Sequence, residues 1–198
     1  MEEISAVDIL IENLKKRGLN PETQRIERNF ILPGSDRLWH KKSVIARFDS
    51  VFFYAFDSFG TTSFSSNTYT GVYTQINHNQ NIDCIMSRKE WIHKFLVRNR
   101  QKTGVKYIDD FLTVTSLSDF NPSHLLSDSD VLLFLEINKT INPLKIIIEK
   151  GYPPSIPALN KKLVVGIETD NWIYKNDELD LFLNQGVSLI NNIKVASA

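Results

Sequence analysis

The sequence predicts an α+β fold, a mostly antiparallel sheet with about four flanking helices. Three observations predict it. From Ser43 to Asp57, and again from Tyr69 to Ile76, apolar and aromatic residues recur every second position, the period of a strand. At the two ends of the chain, Val7, Leu10, Ile11 and Leu14, and then Leu179, Phe182, Leu183, Val187, Ile190 and Ile193, recur at helical spacing. Between them, Thr103 to Glu149 reads as a turn, a strand, a capped helix and a second strand. The 198 residues suit one domain, with a possible division near Lys102 into halves 1–102 and 103–198 that share a core.

Each element has a local cause. Ser5 can cap a helix that runs to Arg17, with Asp8 in its first turn, Lys15 to Arg17 in its last and Gly18 as its stop. Gln24 to Leu32 alternates, but Arg28 spoils its inward face, so an edge strand is expected. Ser35 to Lys42 reads as a connector. Its Trp39-His40 pair suits either an aromatic ligand or the end of a core. The strand Ser43–Asp57 carries aromatics on both faces, as a strand covered on both sides does, and Asp49-Ser50 is either a tight turn or a bulge. Ser58 to Thr68 is polar and small and reads as a long hairpin loop; Phe59 and Phe64 in it could anchor a partner or tuck the loop onto the sheet. Tyr69–Ile76 returns, with Val72, Thr74 and Ile76 on one face and Tyr69, Gly71, Tyr73 and Gln75 on the other. Ile82–Met86 is expected to complete an antiparallel meander.

Ser87 and Glu90 have capping-box spacing and predict a helix whose inner face is Trp91, Ile92, Phe95 and Leu96. Phe111 to Thr115 reads as a strand that begins on the acidic pair Asp109-Asp110. Asn121-Pro122 breaks the chain. Ser127 or Ser129 caps a helix that is apolar almost all round and stops at Asn142-Pro143. Ile146 to Ile148 is a buried strand. Pro153, Pro154 and Pro157 stiffen a connection to the strand Leu163–Thr169, and Asn176 is expected to cap the last helix. Gly186 within it allows close packing or simply weakens the helix.

The order Thr103-Gly104, Asp109, Phe111, Val114, Ser116, Leu125-Leu126-Ser127 resembles an uncharacterised bacterial α+β domain family. The tail from Leu163 to Ile193 is similar too. In this chain Val105 follows Gly104 where the family carries an acid. The resemblance implies a short helix and two strands after Ser127, and no activity. Members of the family often adjoin membrane segments.

Composition narrows the function classes. Lys+Arg and Asp+Glu both number 23, so bulk charge draws the chain to neither nucleic acid nor membrane. A single cysteine, Cys84, forbids an internal disulfide and fits a reducing, cytoplasmic compartment. No apolar run approaches the ~18 residues of a membrane span, and the acidic start lacks a secretory pattern. Asn138-Lys139-Thr140 matches a glycosylation sequon, which carries meaning only in a secreted chain.

Positive signs of chemistry are few. His40, His78, His93 and His124 are not at metal-ligand spacing, and no HExxH, CxxC, GxSxG, Walker A or GxGxxG occurs, so no cofactor or metal is expected. Asp109, Asp110, Asp128 and Asp130 could group around a divalent cation, although turn and cap roles explain each acid. Cys84 sits mid-strand and reads as a packed thiol. The sharpest asymmetry is the segment 88–106, with seven basic residues and one acid, Glu90. Arg88, Lys89, Lys94, Arg98 and Arg100 could hold an anion, an acidic protein partner or a phosphate backbone, with Trp91, Phe95 and Tyr107 nearby to stack a base. They could equally be a solvated helix face. Three readings follow: a non-catalytic binding or interaction module with a protein partner, a nucleic-acid binder, and an enzyme with an unrecognised site.

Overall fold

A computed structural model of the chain describes residues 5–32, 35–60, 67–77, 82–90, 99–116 and 121–196. Among these, nine strands form one antiparallel sheet and four helical stretches flank it, the α+β arrangement expected from the sequence. In chain order the elements are α1 (Ala6–Lys16), β1 (Glu22–Leu32), β2 (Ser35–Phe48), β3 (Val51–Gly60), β4 (Asn67–Gln75), β5 (Cys84–Arg88) and β6 (Arg100–Gln101). Then come α2 (Lys106–Phe111), β7 (Leu112–Ser116), α3 (Asp128–Thr140), β8 (Leu144–Lys150) and β9 (Leu163–Thr169). Last are α4 (Asn176–Leu181), a π turn (Phe182–Gly186) and α5 (Val187–Ala196), which follow one another without a break. No described helix is long and apolar enough to cross a membrane.

The strands lie in the order β1-β2-β3-β4-β9-β8-β5-β7-β6. The meander therefore ends at β4. The expected fourth neighbour, β5, lies between β8 and β7 instead, so strands from both halves of the chain share one sheet. β1 is an edge strand, as the spoiled inward face of its sequence suggests. Ser35 to Lys42 is not a connector. It extends β2, with Leu38 opposite Asn29 and Lys42 opposite Arg25. At Asp49-Ser50 the chain makes a two-residue turn between Phe48 and Val51, with Asp49 at a φ of 51° in the left-handed region that aspartate tolerates. The expected loop 58–68 is shorter, because Ser58–Gly60 continue β3 and Asn67-Thr68 begin β4.

The period of two sorts the sheet's side chains onto two differently covered faces. Val44, Ala46, Phe53, Ala55, Val72, Ile146, Ile148, Val165 and Ile167 belong to the main core with all four helical stretches. On the other face Tyr54, Tyr69, Tyr73 and Val164 form a second, smaller core, roofed by Ile156 and Leu159 from the proline-rich β8–β9 connection. Here the ring of Tyr73 lies flat across two glycines. A Cβ on Gly71 or on Gly166 would stand 2.2 or 2.5 Å from its atoms, so only glycine fits at either place.

Local signals account for the helix ends. Ser5 accepts from the Asp8 amide, and Gly18, at a φ of 76°, closes α1 with Leu19 N–H donating to Leu14 O and Gly18 N–H to Lys15 O. Arg17, beyond the end of α1, is not left in solvent. Its Nε and Nη2 donate to Asp180 Oδ1 at 2.8 and 2.6 Å, tying α1 to α4. Ser127 and Asp130 form a reciprocal capping box at the start of α3. Asn176 does not cap α4; it is the first helical residue, after Lys175. Gly186 is not required by close packing, since the nearest atom to an added Cβ would be Val72 Cγ2 at 3.6 Å.

Two expectations around the basic segment fail. Ser87 caps no helix. It lies in β5 between Thr113 of β7 and Lys145 of β8, so sheet neighbours on both sides claim its backbone. Asp109-Asp110 starts no strand, and lies in α2. There the Asp109 carboxylate accepts from Thr103 N–H, Thr103 Oγ1 and Gly104 N–H, which fixes the Thr103-Gly104 turn. These donors, and Lys102 nearby, hold the Asp109 carboxyl below its ordinary range although burial, the largest single influence, pushes it up.

Candidate partner-binding groove

The end of β5 and the two helices beside it shape a groove of about 300 Å³, lined by Arg88, Lys89, Asp110, Phe111, Leu135 and Lys139. Pairing in the sheet carries Arg88 to the last position of β5, opposite Leu112. The next residue is anchored as well. Lys89 N–H donates to Phe111 O at 2.8 Å, and its ammonium donates to Asp109 O. Phe111 ends α2 where the chain turns into β7, and this leaves the residue 45% exposed. Leu135 and Lys139 stand four residues apart on α3 and so share one side of that helix.

Charge in the groove is uneven. Arg88, Lys89 and Lys139 supply three cations. The one carboxylate, Asp110, already pairs with Lys106 outside the groove. Neither Arg88 nor Lys139 has an ion-pair partner among the described residues. Two apolar side chains thus lie between positive charges.

The residues singled out from sequence do not all meet here. Arg88 and Lys89 line the groove. Arg100 does not; it lies on β6, on the far side of β7, opposite Thr115. Lys94 and Arg98 lie outside the described residues, as do Trp91 and Phe95. Phe64 also lies outside them, and Phe59 belongs to β3, opposite His40 of β2, rather than to a loop. Phe111, Leu135 and Lys139 were missed. Phe111 has the sequence surroundings of a strand, and the alternation of a strand gives no sign that its ring ends a helix in solvent. Lys139 and Arg88 are joined only by the fold.

Among the described residues, a buried charged cluster lies elsewhere, on the second face of the sheet. Glu168 of β9 is 1% exposed. Its Oε2 accepts from Tyr73 OH at 2.5 Å and Tyr152 OH at 2.6 Å, and its Oε1 meets Lys145 Nζ at 2.9 Å. Lys145 also reaches Asp170 at 2.8 Å. Burial first, and then the Glu168 carboxylate, push the Tyr73 and Tyr152 phenols far up, so both remain donors. Both carboxylate oxygens have partners, and a substrate could reach neither without breaking the cluster. This is a structural tie between β4, β8, β9 and the connection carrying Tyr152. A single glutamate in the apolar run Leu163–Thr169 was its only trace in the sequence.

Other candidate groups also have structural partners. Asp130 serves the α3 cap and accepts from Asn192 Nδ2 at 2.8 Å. Asn138, of the sequon, is 1% exposed and accepts from Leu144 N–H. Cys84 is buried in the main core, and burial pushes its thiol up to about 12.

No family model, curated protein or solved structure matches the chain significantly.

Proposed function

We propose that the chain is a non-catalytic binding module whose groove takes an acidic segment of a partner protein. The observation that carries this reading is the exposed Phe111 ring between Arg88, Lys89 and Lys139. An apolar partner side chain covering Phe111 and Leu135 would supply affinity, and carboxylates meeting the three cations would supply orientation and rate. Covering the exposed part of Phe111, 45% of the residue, is worth roughly 0.7–1.4 kcal/mol, or about 3- to 10-fold in affinity. A phosphate backbone is served less well, because Arg100 is separated from Arg88 by β7 and extends no line of cations from the groove.

The test is capture from the native host on the tagged chain, with and without nuclease. Wild type should retain a protein that both Phe111→Ser and the double variant Arg88→Glu/Lys139→Glu lose, while both variants melt as wild type does. Capture that is equal on all three chains would refute the reading. Capture that disappears with nuclease would transfer the groove to nucleic acid.

A further inference from the structure

We infer a second site, for a small phosphorylated molecule, in a hollow of about 500 Å³ where Arg47, Lys162 and Lys194 converge. It is separate from the groove and does not depend on it. It forms at one end of the strands, where the β2–β3 turn, the end of β4, the end of the β8–β9 connection and the last turns of α5 come together. The three cations come one each from β2, from that connection and from α5. No local sequence pattern joins them.

Several cations of the surface stand beside acids: Lys16 with Glu12, Arg17 with Asp180, Arg25 with Asp8, Lys106 with Asp110 and Lys175 with Glu178. Among the described residues that line the hollow there is no carboxylate at all. Arg47 and Lys162 enter no ion pair among the described residues, and an anion seated between them offsets their mutual repulsion.

Two of the cations are held in place. Arg47 donates from Nε to Asp49 O at 3.0 Å, and its guanidinium lies 5.4 Å from the Phe52 ring centre. That leaves the two terminal nitrogens of the fork to face an oxyanion. Lys194 Nζ is 2.9 Å from Ser50 Oγ, which positions it at the turn. The Lys162 backbone bonds to Leu159 and Gly151, while its ammonium has no hydrogen-bond or ion-pair partner among the described residues. Asn77 and Gln75 add amide groups to the wall, and Phe52 and Leu159 give it an apolar patch.

The ligand class follows from charge and size. Arg47 and Lys162 match a dianionic group, with Lys194 beside them at the turn, whereas a single carboxylate would leave one of the two charges uncompensated. A monophosphate or diphosphate has that charge, and its oxygens suit both a guanidinium fork and two ammonium groups. A volume of about 500 Å³ exceeds what one phosphate fills and falls in the range of small-molecule sites. The remaining space, against Phe52 and Leu159, fits a compact organic body.

Titration calorimetry with inorganic pyrophosphate at low salt tests the site, using the full chain and the variant Lys162→Gln/Lys194→Gln. Both substituted side chains are at the surface or its margin, and thermal melting checks that the variant folds. Wild type should bind one pyrophosphate saturably. The variant should bind at least about 10-fold more weakly, as expected for losing charge-assisted contacts. Lys139→Gln, in the other groove, should bind as wild type does. No saturable heat at millimolar pyrophosphate would overturn the inference. So would equal binding by wild type and the double variant.

Discussion

Replacing Lys145 by methionine isolates the energetics of the second face. The change keeps most of the stem's apolar contact and removes the one cation beside the buried Glu168 carboxylate. Removing one partner of a fully buried ion pair costs about 3–5 kcal/mol. The value here is lower, because the Lys145 side chain is 29% exposed and the Tyr73 and Tyr152 hydroxyls still donate to Glu168. We expect a loss of about 2–3 kcal/mol at neutral pH. For a chain of this size that lowers Tm by roughly 4–12 °C. Burial, the largest influence on Lys145, works against its charge, but Glu168 and Asp170 together more than offset it and raise its affinity for the proton. The stabilisation is therefore complete below the ordinary lysine value of 10.5 and is lost as pH rises through the higher folded value. Urea unfolding of Lys145→Met, Glu168→Gln and the double variant measures the coupling, which should be at least about 1 kcal/mol. A single variant within about 0.5 kcal/mol of wild type, with no coupling in the cycle, would refute this account of the cluster.

Three other outcomes are expected. Gly166→Ala should destabilise by about 1–3 kcal/mol in urea unfolding, since its Cβ would meet the confined Tyr73 ring, whereas Gly186→Ala, with room for a methyl, should stabilise by about 0.5–1 kcal/mol. Burial raises the phenols of Tyr54, Tyr69, Tyr73 and Tyr152, so their contribution to stability is intact below pH 10 and lost above it. Absorbance titration should then show these four of the six tyrosines ionising together with loss of the fold, not before it. Cys84 should resist an aromatic disulfide reagent in the native protein and react at once in urea; rapid native labelling would contradict its place in the main core.

Where the sequence was legible, one short stretch contained the whole cause. Ser127 and Asp130 satisfy each other's backbone groups within four residues, and Gly18 needs only its own left-handed φ. The alternation of Phe52, Phe53, Tyr54 and Ala55 separates two cores for the same reason. Ser87 and Glu90 show the limit. Their spacing is that of a cap, but two neighbouring strands, β7 and β8, pair with the backbone, and neither is near in sequence. The same limit hid the place of β5 in the sheet. In the groove, Arg88 and Lys89 were visible as charge, while Phe111 and Lys139 joined them only through the packing of α2 against α3. No local pattern joins Arg47, Lys162 and Lys194, because their meeting is a product of the fold alone.

The Tyr73 ring over Gly71 and Gly166 also gives the protein a spectroscopic label of its own. On each glycine, one α-proton occupies the direction in which a side chain would have met the ring. The circulating electrons of an aromatic ring displace the magnetic resonance of protons held so close. Those two glycine signals should stand apart from the other six in the native spectrum and return among them when the ring lifts away. The second face of the sheet can thus be watched opening, separately from the helices on the first, without adding any probe.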